Sequence, residues 1–178
     1  MTTTRTLVGA MALVTAIYAR QTDAQCIGVN TCNTTNTVSV TVGALVQLDM
    51  SSTTTTLTNP TASDISAASV IPDPGPTFTI RANRSWTLNI RSQNATTWTY
   101  VGTSGGVKPI GDLSWSTASG GTFAAVTNAD AIFTAGTTAS SGTPAQAFFR
   151  TSWAGGFGAA SNAPGTYNLP VIFTLTAP

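Results

Sequence analysis

The stretch Phe78-Thr79-Ile80-Arg81-Ala82-Asn83-Arg84-Ser85-Trp86-Thr87-Leu88-Asn89-Ile90-Arg91 holds two alternating runs joined by a turn. Phe78, Ile80 and Ala82 keep one phase before Asn83-Arg84, and Trp86, Leu88 and Ile90 keep one after it, while Arg81, Asn89 and Arg91 take the opposite phase. Successive side chains of a strand point to opposite faces, so a period of two predicts a strand apolar on one face and solvated on the other.

The same period recurs on both sides. Val38, Val40, Val42, Ala44, Val46, Leu48 and Met50 alternate with mostly polar residues and predict a half-buried strand over 38–50, with Gly43 and Leu45 allowing a bend midway. Residues 51–76 are rich in Ser, Thr and Asn and carry Pro60, Pro72, Pro74 and Pro76, which reads as a long connection with a short strand near Thr55 to Leu57. Further strands are expected at Trp98 and Tyr100, at Leu113 and Trp115, and, after the turn residues Ser119-Gly120-Gly121, at Phe123 and Val126. Ile132-Phe133 and Ala147-Phe148-Phe149 are apolar runs of strand length. At the C-terminus Tyr167, Leu169, Val171, Phe173 and Leu175 share one face, opposite Asn168, Pro170, Ile172, Thr174 and Thr176. Pro170 cannot donate to a ladder, so this strand belongs at an edge or at a bulged end. Nothing beyond residue 24 sustains a helical period. The expectation is an all-β chain, an antiparallel β-sandwich of immunoglobulin-like or jelly-roll-like kind.

Arg5 precedes the apolar run from Leu7 to Ala19, and polar residues follow. That is the form of a secretory signal peptide, shorter than the roughly 20 residues of a membrane-spanning helix. Thr22-Asp23-Ala24 places cleavage after Ala24, with lipid modification of Cys26 as the rival processing. The expected division is a signal peptide at 1–24, an N-terminal segment at 25–37 and one domain at 38–178. No transmembrane segment is expected in the mature chain, which would be exported to the periplasm, the cell surface or the medium.

Composition excludes several functions. The chain has no histidine, and beyond residue 24 its acids are Asp49, Asp64, Asp73, Asp112 and Asp130. Histidine and glutamate are the usual side chains tuned for proton transfer near neutral pH, so an enzyme is not expected. A hydrolase would need two of these aspartates to converge, and no local motif brings two together. Without Arg5, Arg20 and Asp23, five basic groups balance five acidic ones, so no nucleic-acid partner is expected. Charged residues are 7% of the chain, low for a soluble domain, yet 42% hydrophobic residues supply a core.

Cys26 and Cys32 are the two cysteines. In an oxidising exported compartment they are expected to form a disulfide, worth only about 2 kcal/mol because the loop is short. Two cysteines without histidine make half a zinc site, and no Asp-rich calcium loop is present, so neither metal nor cofactor is expected. The Asn-x-Ser/Thr triplets at Asn33, Asn83 and Asn94 occur by chance in a Ser/Thr-rich chain.

Two tripeptides, Trp86-Thr87-Leu88 and Phe173-Thr174-Leu175, have a wider resonance. Segments 77–92 and 164–178 resemble the WxL domain of bacterial surface proteins, with Phe173 standing where that pattern has its second tryptophan. The Asn-x-x-Trp-x-Leu turn is also similar to exported spore-coat-U and pilin-like sandwiches. Both resemblances imply a β-sandwich at the cell surface, and the first implies non-covalent attachment to peptidoglycan. Alternation by itself makes Trp86, Leu88, Phe173 and Leu175 core residues on inward faces.

Trp98, Tyr100, Trp153 and Phe157 are candidates for a sugar-stacking platform, although core packing is the commoner role of large aromatics. Trp153-Ala154-Gly155-Gly156-Phe157-Gly158 reads as an exposed aromatic loop, and no Gly-Lys-Ser/Thr follows to make it a phosphate loop. The leading expectation is a non-enzymatic, exported structural or cell-surface protein that self-assembles through edge strands, with outward Ile172 at the interface. The alternative is a module binding peptidoglycan or another envelope polysaccharide through Trp153 and Phe157.

Overall fold

A computed structural model describes residues 27–28, 30–68 and 70–178, in two units that meet between Thr41 and Val42. The expected leader and Cys26 lie outside the described residues, so cleavage and the Cys26–Cys32 bridge remain expectations. Residues 30–41 are exposed and contain neither helix nor strand.

Residues 42–178 form the β domain. Its larger sheet has the order β1 (Val46–Met50), β2 (Val70–Ala82), β8 (Ser140–Ser152), β5 (Leu113–Ser116), β6 (Ala124–Ala125). A second sheet has the order β10 (Val171–Thr176), β3 (Trp86–Ser92), β7 (Ala131–Gly136), and β4 (Thr99–Val101) pairs with β9 (Thr166–Asn168). Every pairing between these strands is antiparallel. The two alternating runs of the opening stretch are β2 and β3, and they do not pair with each other. The turn at residues 83–85 carries the chain from one sheet to the other, so the apolar faces of both runs meet in the middle. Phe78, Ile80, Leu88, Ile90, Trp115, Phe133 and Phe149 form the buried core between them, the inter-sheet filling expected of a sandwich.

Three sequence expectations change. The first strand begins at Val46 rather than Val38, because its partner β2 ends at Ala82, opposite Val46, and a strand requires a hydrogen-bonded neighbour. The proline-rich connection is shorter than expected. It has no strand near Thr55, it contains the short helix α1 (Ala62–Ser66) behind a Thr61–Asp64 capping box, and β2 already starts at Val70. Pro72 and Pro74 are tolerated there because their shared parity keeps both missing donors on one side of the strand. That side lost its neighbour when β1 ended opposite Phe78. The C-terminal run is divided at Leu169-Pro170 into β9 and β10, which pair with different strands. No described helix is long and apolar enough to cross a membrane.

Candidate functional site

The edge strands β1 and β10 belong to opposite sheets and approach each other on one side of the sandwich. No described strand pairs with the outer edge of β10. Beside that edge the sheets part over a cleft of about 1210 Å3.

One wall of the cleft is the loop at residues 52–60, and the facing wall is residues 162–171. The loop is pinned by Thr58, whose backbone N–H and hydroxyl donate to the two carboxylate oxygens of buried Asp73 at 3.0 and 2.6 Å. Two tyrosines hold the facing wall. Tyr100 Oη donates to Pro164 O at 2.7 Å, Tyr167 Oη donates to Ala163 O at 2.8 Å, and their ring centroids are 5.1 Å apart. Burial raises the Tyr167 hydroxyl above its ordinary pKa of 10.0, with Tyr100 adding to the effect.

The floor comes from the end of β8 and the residue that follows it. Phe149, Thr151 and Trp153 follow one another at a spacing of two and all line the cleft, next to Leu113 of β5. Lys108 closes over them. Its ammonium is 1% exposed, donates to Ser152 O at 2.6 Å and to Asp112 Oδ2 at 3.1 Å, and stands 4.2 Å from the centroid of the Trp153 ring. Burial holds the amine below its ordinary pKa of 10.5, against the raising effects of the Asp112 hydrogen bond and charge. Two polar atoms here have no hydrogen-bond partner among the described residues, Thr151 Oγ1 and Trp153 Nε1. A buried orphan of this kind costs about 1–3 kcal/mol, and native proteins hold few of them.

The candidates read from sequence are scattered. Trp86 and Leu88 are buried in β3, and Phe173 and Leu175 are half-buried on the inward face of β10, where Phe173 also borders the cleft. Ile172 is half-buried on the opposite phase of the same edge strand. Of the four platform aromatics, Trp98, Trp153 and Phe157 border the cleft and Tyr100 does not. Trp98 is in the core with its Nε1 donating to Pro109 O at 3.0 Å, Tyr100 packs on Tyr167, and Lys108 covers a face of Trp153. Phe157 is 66% exposed, on a loop braced by Asn162 Nδ2, which donates to Ala154 O and Gly156 O.

The aspartates are equally dispersed. Asp49 pairs with Arg81, Asp112 with Lys108, Asp130 with Arg91, Asp73 holds Thr58, and Asp64 caps α1. No group of three or more possible metal-ligating residues occurs among the described residues.

Sequence reasoning passed over Lys108 and Thr151. One signal was available for the first, since Lys108 is the sole lysine of a chain whose other basic residues are arginines. Thr151 carried none, because a threonine on a strand is ordinary until its neighbours are known.

Fold and cleft together define an all-β sandwich protein with an open strand edge beside an inter-sheet cleft. No protein-family model matches the chain, so membership of the WxL family is not shown, and no curated protein matches it. Among solved structures, a chain from a chaperone-usher pilus is similar over 85% of this chain and 99% of its own, at 11% identity and a TM-score of 0.48.

Proposed function

We propose that this chain is an exported, non-enzymatic structural protein that associates with further copies by strand addition. One observation carries the reading: the chain has both an unpaired strand edge and an unpaired strand-like segment. The outer edge of β10 pairs with no strand among the described residues and lies beside the cleft. Val38 and Val40, which alternate with Ser39 and Thr41, are 86% and 87% exposed, and Val42 and Leu45 are exposed as well. An exposed apolar alternation and an open edge are the two parts from which strand addition between chains is built. Dispersal of the aspartates onto separate partners, with no histidine in the chain, speaks against hydrolysis. Export rests on the charged start, the apolar run and the Thr22-x-Ala24 ending, and the intact mass of the secreted protein tests it.

Assembly is tested by sedimentation and electron microscopy of the mature protein. Wild-type chains are expected to form concentration-dependent oligomers or filaments. Ile172→Lys should leave the monomer folded and weaken assembly at least about tenfold, since a lysine on an edge strand opposes strand addition. A wild-type protein that remains strictly monomeric at high concentration overturns the reading.

A further inference from the structure

The outer face of the larger sheet gathers residues that no stretch of the sequence holds together. Arg150, in the central strand β8, stands opposite Pro72 of β2 on one side and Ser114 of β5 on the other. Two residues earlier in β8, Phe148 stands opposite Pro74 and Ser116. Phe149 and Thr151, which alternate with them, are buried, so these two rows point away from the core. Phe123, just before β6, joins the rows, because the Arg150 guanidinium lies 4.0 Å from the centroid of its ring.

Arg150 is half-buried and has no carboxylate among the described residues. Its Nε is enclosed without a partner, whereas the two terminal nitrogens are not enclosed. Asp112, two residues before Ser114, is held by Lys108 at 3.1 Å. A planar guanidinium backed by an aromatic ring, with its fork open, matches a carboxylate through two parallel hydrogen bonds. A second copy of this chain has no free described aspartate to place there. Asp49, Asp112 and Asp130 pair with Arg81, Lys108 and Arg91, Asp73 holds Thr58, and Asp64 caps α1. One cation also falls short of the basic track that a phosphate polymer needs.

The surroundings of the fork are uncharged and largely apolar. Pro72 and Pro74 are exposed, Phe123 and Phe148 are half-buried, and Ser114 Oγ, which donates to Arg150 O at 3.3 Å, keeps acceptor capacity for a hydroxyl. We propose that this face binds a carboxylated polysaccharide, with a uronate carboxylate on the Arg150 fork and the sugar rings against Phe148 and the two prolines. In a uronate the carboxylate is bonded directly to the saturated ring, so seating the one brings the other over the neighbouring row. The carboxylate of an acidic peptide hangs on a flexible stem that loses rotamer freedom on seating. β10 belongs to the other sheet, so this site and strand addition stand or fall separately.

Affinity electrophoresis of the mature protein tests the site with three probes. Polygalacturonate in the gel should retard the wild-type chain, its methyl ester, which keeps the rings and loses the charge, should not, and polyglutamate should retard it less. Arg150→Gln should weaken retention at least about tenfold, and Arg150→Lys, which keeps the charge and loses the planar fork, at least about fivefold. Phe148→Ser should weaken it about threefold. Arg84→Gln, at the exposed turn between the sheets, and Ile172→Lys, on β10, should leave it unchanged. Thermal melting establishes that each variant is folded, and Arg150→Lys carries the test by itself if Arg150→Gln is not. No retention of wild type by polygalacturonate, equal retention by the ester, or wild-type retention of Arg150→Lys overturns the site. Polyglutamate that binds as well as polygalacturonate overturns the polysaccharide, and a loss in Arg84→Gln equal to that in Arg150→Gln overturns the location.

Discussion

Phe173 of the last strand lies with its ring centroid 4.6 Å from that of Phe78, in the facing sheet. Phe133 meets both rings, at 5.5 Å from Phe173 and 5.6 Å from Phe78. This aromatic cluster clamps β10 to the opposite sheet, although among the described residues β10 has a strand neighbour on only one side. An edge strand held by side chains rather than by two ladders can keep its outer backbone open for a partner.

The two Trp-x-Leu-like positions should differ in cost. Trp86 is fully enclosed in the core, so Trp86→Ala should cost about 3–5 kcal/mol. Phe173 is half-buried with the cleft beside it, and Phe173→Ala should cost less, about 2–3 kcal/mol. Chemical denaturation of the two variants checks the order.

Gly136 stands opposite Trp86 in the β3–β7 ladder, and a Cβ there would lie 2.5 Å from Trp86 Cε2. The indole fills the space that a side chain at 136 would need. Gly136→Ala should cost about 1–3 kcal/mol by overpacking and should alter the near-ultraviolet circular dichroism of the tryptophans.

Lys108 should be chemically silent in the folded protein. Acylation with an amine reagent should modify this single lysine only after unfolding, which peptide mapping reads directly. Its folded-state pKa lies below the ordinary 10.5, so in the window between the two values the unfolded chain binds the extra proton and stability rises with pH. Below the folded value the penalty is constant. Stability measured toward pH 10.5 should therefore rise in wild type relative to Lys108→Met; the opposing contribution of Tyr167 cancels in that difference.

Asn83 ties the start of the first strand to the turn between the sheets, accepting from Leu45 N at 2.9 Å and donating to Gly43 O at 2.8 Å. Asn83→Ala should cost about 1–2 kcal/mol in denaturant unfolding. Asn83→Asp keeps the acceptor and loses the donor, so its cost should fall between wild type and alanine.

Most of the β domain was legible because alternation is local. The phases of 78–82 and 86–90 need only their own residues, and the inward faces read there are the faces the core uses. Proline defeated the same reasoning in β2, where Pro72 and Pro74 are harmless only because β1 stops short, a fact about a neighbouring strand. It also mattered at Pro170, where the expected irregularity became a break between two strands with different partners.

The aromatic loop shows a different limit of local reading. Trp153 and Phe157 both border the cleft, yet one lies under a lysine 45 positions earlier in the chain and the other is largely exposed. No window along the sequence contains that contact.

By itself the sequence determined the all-β class, the inward faces of the strands, and a charge-poor composition without histidine. These follow from period and composition, which act over a few residues or over the whole chain. Only the tertiary structure decided that β1 and β10 are edges, that a cleft opens beside them, and that Lys108, Thr151 and Trp153 meet in it. Edges and pockets arise where strands distant in sequence fail to pair, and non-pairing is a property of the assembled sheet that no single strand encodes.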